Sequence, residues 1–129
     1  MRGVSLEQGE AVAGSWFVYL GEPTPMSAKV TGRLYVTNLY VRFDGDIALA
    51  SGAAADISRG LKPFQATDTS FAIPYQRIAS ADVSRRWIVK TLNLRLEDGF
   101  LIPIQFGAMP TRSALAAIRR GLRRHGKGA

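Results

Sequence analysis

The stretch "GRLYVTNLYVRFDG", Gly32 to Gly45, decides how this chain is read. Leu34 and Val36 alternate with Arg33, Tyr35 and Thr37. Leu39, Val41 and Phe43 alternate with Tyr40 and Arg42. A period of two marks strands with one buried face. The alternation resets at Thr37-Asn38, and Asn tolerates the backbone conformations of a reversal. The stretch therefore predicts a hairpin, two walls of a sheet. Its aromatics and arginines are wall residues rather than a reading groove.

The same period extends outward in both directions. Gly9 to Leu20, rich in Val, Trp, Phe and Tyr, predicts a strand that stops at "GEPTP", where two prolines exclude pairing. Ala28 to Thr37 and Leu39 to Phe43 are the hairpin arms. Asp44 to Asp68 is rich in small residues and predicts a long loop. Thr69 to Pro74, Ile78 to Arg86, Trp87 to Glu97 and Phe100 to Phe106 predict four further strands. Asp98-Gly99 gives a two-residue hairpin turn between the last two. Pro103 suggests an edge or a strand end. From Pro110 the period becomes helical. Ala114, Leu115, Ile118 and Leu122 share one face, Thr111 or Ser113 is placed to cap the start, and Gly126 ends the helix. The expectation is a single domain over 1–129, mainly β with about seven antiparallel strands and one C-terminal α-helix at about 111–124.

Composition narrows function. The chain has 129 residues and no cysteine, which excludes thiol catalysis and thiolate metal sites. "MRGVSLEQGE" has no apolar core of a secretory signal, and no apolar stretch reaches the length of a membrane span. The expectation is a cytoplasmic protein, or one peripheral to a membrane. The Ala, Gly and Arg content suggests a bacterial source. The formal net charge is +7, but it is not evenly spread. Arg112, Arg119, Arg120, Arg123, Arg124 and Lys127 follow Pro110 with no acid among them. The remaining eleven basic and ten acidic residues balance to +1. The basicity thus belongs to the C-terminal helix and its tail, 119–129.

Candidate chemistry is sparse. His125, the sole histidine, sits in a Gly- and Arg-rich tail and is expected to be solvated, without a metal or catalytic role. Asp44 and Asp46 lack the further oxygen ligands of a calcium loop and read as turn residues. Arg85, Arg86, Trp87 and Lys90 read as a solvated strand end with a core Trp, and Trp16 and Phe17 also read as core. No titratable pair is placed for acid–base work, so neither an enzyme nor a cofactor is expected. The four arginines at 119, 120, 123 and 124 form two i, i+4 pairs. They either solubilise the helix end or meet an anionic partner: acidic lipid, a protein or nucleic acid.

Several motifs in order resemble the GRAM and bacterial pleckstrin-homology-like (PH-like) domains. They are "LEQGEAV" (6–12), "GRLYVTNLYVRF" (32–43), "FAIPYQRIASADV" (71–83) and "LNLRLEDG" (92–99), followed by the closing helix. The resemblance implies a PH-like barrel, two orthogonal antiparallel sheets capped by the helix. It also implies a non-catalytic binding module for a membrane lipid surface or a protein. In lipid-binding members the first hairpin is basic, which points to Lys29 and Arg33. A second, shorter resemblance is that of "DISRG" (56–60) to the cyclic-dinucleotide turn of PilZ domains, implying Asp56, Ser58 and Arg59 as an alternative nucleotide site.

Overall fold

A computed structural model describes residues 6–20, 30–45, 59–67, 70–86 and 88–127. The strands are β1 (Val12–Leu20), β2 (Val30–Thr37), β3 (Tyr40–Gly45), β4 (Gln65–Thr67), β5 (Ser70–Pro74), β6 (Ile78–Arg86), β7 (Val89–Leu96) and β8 (Leu101–Gly107). The C-terminal helix is Arg112–Arg124. All pairings are antiparallel, in the order β4-β5-β3-β2-β1-β8-β7-β6. Among the described residues the strands number eight rather than about seven. The extra one is β4, inside the expected long loop.

The hairpin of Gly32–Gly45 forms as its alternation dictates, with Leu34 opposite Phe43 and Val36 opposite Val41. β1 pairs with β2 from Val12 to Leu20 but meets β8 only at Tyr19↔Gln105 and Leu20↔Ile104. β8 is therefore an interior strand, not an edge. Pro103, the next residue but one from Gln105, falls beyond the stretch that β1 pairs, so its missing N–H is tolerated there. The Asp98-Gly99 turn is as expected, with Gly99 at φ 91.

The core lies between the sheet and the helix. Leu92, Leu94, Leu96, Ile102, Ile104 and Phe106 alternate into it from β7 and β8, and Ala114, Ile118 and Leu122 close it from the helix. Trp16 packs at its margin, and its Nε1–H donates to Ser113 Oγ at 3.1 Å. Phe17, expected in the core, is 50% exposed because β1 alternates and Trp16 and Val18 already face inward. Thr111 precedes the helix but makes no side-chain cap bond.

The segment expected to be a loop is ordered in its described part. Residues 59–61 are helical, Lys62–Phe64 is a 3₁₀ turn and β4 follows. Leu61, 2% exposed, anchors it in the core. Elements of three residues carry no period, so nothing in the sequence pattern announces them. Asp46, Asp56, Ser58, Trp87 and Lys29 lie outside the described residues.

Candidate functional site

Two charged clusters dominate the molecule, and they differ in what neutralises them. The first begins with the N-terminal segment. Glu10 N–H donates to Glu7 O at 3.0 Å and Glu7 N–H donates to Glu10 Oε1 at 2.9 Å, so 7–10 is a tight turn, with Gly9 at φ 81. Asn38 binds this turn to the hairpin. Its side-chain amide donates to Gly9 O at 2.9 Å, and its Oδ1 accepts from Ala11 N–H at 2.6 Å. The Asn at the reversal is thus a strap as well as a turn residue.

The strap delivers Glu10 to Arg42. Arg42 Nε and Nη2 each donate to a Glu10 carboxylate oxygen at 2.7 Å, a bidentate pair. Thr37 Oγ1–H donates to Glu10 Oε2 at 2.6 Å. The Glu10 side chain is fully covered, Arg42 is 6% exposed, and the guanidinium lies over the Tyr40 ring at 4.7 Å. Burial alone would raise the Glu10 pKa. The bonds from Arg42 and Thr37 outweigh it and hold the carboxyl below its ordinary 4.5. The bond to Glu10 likewise pushes Arg42 up. Arg42 and Thr37 alternate onto the side expected to face solvent. They are buried because residues 7–11 cross over them.

A second strap holds the other end of the chain. His125 is not a solvated tail residue. Its ring stacks on Tyr75 at 5.2 Å between centroids. His125 Nε2 lies 3.1 Å from Asn38 O, and Nδ1 lies 3.0 Å from Gln76 Nε2. These partners fit the tautomer with its proton on Nε2. The helix ends in a Schellman arrangement, Gly126 N–H to Arg123 O and Lys127 N–H to Leu122 O, with Gly126 at φ 74. That hooked end turns His125 inward and sends Lys127 to Gln76 O and the Glu97 carboxylate. Tyr75 is fully buried, donates to Thr37 O at 2.6 Å, and its hydroxyl pKa is pushed up by burial.

The second charged cluster is the helix surface. Arg112, Arg119, Arg120, Arg123 and Arg124 are all exposed. At 3.6 residues per turn they span an arc of about 140°, interrupted only by Ala116 and Ser113. Among the described residues none of the five forms an ion pair. The arc has two flanks. Arg119 and Arg123 border a groove of ≈ 440 Å³ against β6. Arg120 and Arg124 border one of ≈ 200 Å³ against the start of β1 and Asn38.

The remaining sequence candidates do not join this arc. Arg33 is exposed on β2, between Phe17 on β1 and Asp44 on β3. Phe17 and Tyr19 meet edge to face at 6.3 Å on the same side. Arg59 is exposed at the described start of its helical turn. Sequence reasoning missed the Glu10–Arg42 pair and the groove wall Ala79-Ser80-Ala81. The first had one signal, an acid inside the first motif and an arginine inside the second. The second had the run of small residues in an otherwise β-patterned segment.

No family model matches the chain, and no curated protein matches it. Among solved structures it is similar to the crystal structure of the C-terminal domain of an unknown protein from Leishmania infantum. The TM-score is 0.60 at 15% identity, over 89% of this chain and 87% of that one. At that identity the likeness concerns the fold: mainly β, with a C-terminal helix. Among the described residues no helix is long and apolar enough to cross a membrane.

Proposed function

We propose that this chain is a non-catalytic binding module of PH/GRAM-like type, and that the solvent face of its C-terminal helix attaches it to an anionic membrane surface. The strand order supports the fold part of this reading. It resolves into a meander β5-β3-β2-β1 and a meander β8-β7-β6 that share only two residue pairs, with the helix packed on the core. On this reading the two meanders are the two orthogonal sheets of a PH-like barrel, and the helix is its cap.

One observation carries the function. The helix is apolar where it meets the core and carries five arginines and no acid where it meets solvent, with no described carboxylate to neutralise them. Two other cations are neutralised within the fold, Arg42 by Glu10 and Lys127 by Glu97. Each basic residue near an anionic bilayer contributes about 1 kcal/mol, so the arc gives weak, reversible attachment of a peripheral protein.

The test is sedimentation with neutral and with phosphatidylserine-containing vesicles at low salt. Wild type pellets with the anionic vesicles, releases as salt rises, and ignores neutral ones. R119Q/R120Q/R123Q/R124Q stays in the supernatant. Equal pelleting of the two proteins overturns the proposal. So does a wild type that ignores vesicles but is held on DNA through the same arginines, which makes the partner nucleic acid.

A further inference from the structure

We propose that the groove between the N-terminal turn and β4 binds a small aromatic carboxylate, whose carboxylate group takes the open end of the Arg42 guanidinium. This goes beyond membrane attachment and does not depend on it.

The groove follows from alternation on β3 and β5. Val41 and Phe43 point into the core, as do Phe71 and Ile73. Tyr40 and Arg42 therefore stand on the outer face, paired with Pro74 and Ala72. Ala72 sets only a methyl group beside Arg42, which keeps the floor low there. Glu7 of the N-terminal turn walls one side, and Pro63 and Phe64 of the 3₁₀ turn wall the other. The space between them is ≈ 630 Å³, within the size range of small-molecule sites.

The floor holds an under-used donor. Arg42 is buried, and Glu10 takes only the side of its fork, Nε and Nη2. Nη1 has no hydrogen-bond partner among the described residues, and a buried donor left unpaired is costly. Glu7 stands close without meeting that need. Its Oε2 lies 3.9 Å from Nη2, beyond hydrogen-bond reach, and its side chain is 54% exposed. The Tyr40 hydroxyl bonds to the same carboxylate, which raises the Tyr40 pKa. Glu7 is thus a loosely held stand-in. It marks where a carboxylate is wanted, and it can swing into water when a better one arrives.

The rest of the lining selects an aromatic body. Tyr40 and Phe64 each carry a guanidinium over one face, Arg42 at 4.7 Å and Arg77 at 5.7 Å from the ring centroids. Pro63 and Pro74 add flat apolar surface. A planar ring suits such walls, since arginine planes and aromatic faces both stack. Arg77 is exposed and has no ion pair among the described residues, so it adds attraction for an anion at the mouth. A cationic ligand would meet two arginines, and an aliphatic acid would leave the rings unused.

The probe is naphthoate, titrated into isotope-labelled protein and followed by NMR of backbone amides and arginine Nε groups. The expected result is a saturable shift at Arg42 Nε, Arg77 Nε and the Tyr40 and Phe64 amides. Naphthamide keeps the ring without the charge, and acetate keeps the charge without the ring. Each binds about tenfold more weakly or worse, through loss of a charge-assisted pair or of a buried ring. E7A tightens naphthoate binding about threefold, because the resident carboxylate no longer competes, and R77Q weakens it by a similar factor, as expected for exposed charges. Both substitutions leave the Glu10–Arg42 pair in place, so the fold is not at stake. R119Q/R120Q/R123Q/R124Q changes binding by less than about twofold under salt screening, which separates this site from the membrane face. Four results each overturn the proposal: no saturable shift up to millimolar naphthoate, equal binding of naphthamide, an E7A variant that binds no tighter than wild type, or shifts that map to the helix instead of this groove.

Discussion

The two ends of the chain are fastened in opposite ways. Residues 7–11 are held by charge: a carboxylate with no exposed surface, a bidentate guanidinium and the Asn38 strap. The C-terminal helix is held by apolar contact through Ala114, Ile118 and Leu122, and turns its charge to water. Arg42 and Arg123 are the same side chain in opposite service. One is consumed in the fold and the other is left to solvent. A net charge of +7 therefore says little about function until each cation has been traced to what neutralises it.

The comparison breaks first at Arg42. Arg42→Ala leaves the Glu10 carboxylate buried and alone, which costs about 3–5 kcal/mol. That is a large share of the stability of a domain this size, and urea denaturation measures it. Replacing both members, Glu10→Leu with Arg42→Met, recovers most of the loss, because no orphaned charge remains. A loss below 1 kcal/mol for Arg42→Ala means that the N-terminal fastening is not electrostatic. The pair also carries a pH signature. Glu10 has a depressed folded-state pKa, so its contribution is fully present above the unfolded value. It is lost as pH falls below about 4.5 and through the lower folded value. In the double replacement the acid limb of the stability curve flattens by that amount.

The matching break at the other end is Gly121→Ala. A Cβ at Gly121 runs into the Tyr75 ring. Tyr75 cannot retreat, since it is fully buried, bonded to Thr37 O and stacked on His125. Overpacking of this kind costs about 1–3 kcal/mol, partly offset by the better helix propensity of Ala. The expected outcome is a lower midpoint in thermal melts together with shifted His125 ring resonances. A variant as stable as wild type means that the helix does not seat on Tyr75.

The same contrast explains what was legible in the sequence. The hairpin at 32–45, the β7–β8 pair and the helix announce themselves, because each obeys a period set by neighbours two, three or four residues away. What stayed hidden depends on distant neighbours. Arg42 is buried by Glu10, 32 residues earlier, and His125 is held by Asn38, 87 residues earlier. Alternation assigned Arg42 and Thr37 to solvent because it cannot know that another segment crosses that face. A tail rich in Gly and Arg read as frayed because the Schellman hook that turns His125 inward is a matter of backbone geometry. The unneutralised helix arc was the reverse case. Its acids are missing from the sequence itself, so its charge was legible from the start.

The smallest effect on stability belongs to the exposed arginines of the helix. R119Q/R120Q/R123Q/R124Q removes four exposed charges, and among the described residues only Arg119 of the four hydrogen-bonds to the protein, at Ala81 O. Exposed substitutions of this kind change stability by about 0.5 kcal/mol or less. The sign here is toward stabilisation, because 119 and 123, and 120 and 124, are like charges one turn apart on the helix and repel. Salt sharpens the point. Screening acts on exposed charges and little on a buried pair, so added sodium chloride raises the melting temperature of wild type slightly and that of the variant less. The Arg42→Ala penalty, measured in parallel, stays nearly constant across the same salt series. A variant that unfolds several degrees lower than wild type means that the arginines are part of the fold, as Arg42 is, and the contrast between the two ends collapses.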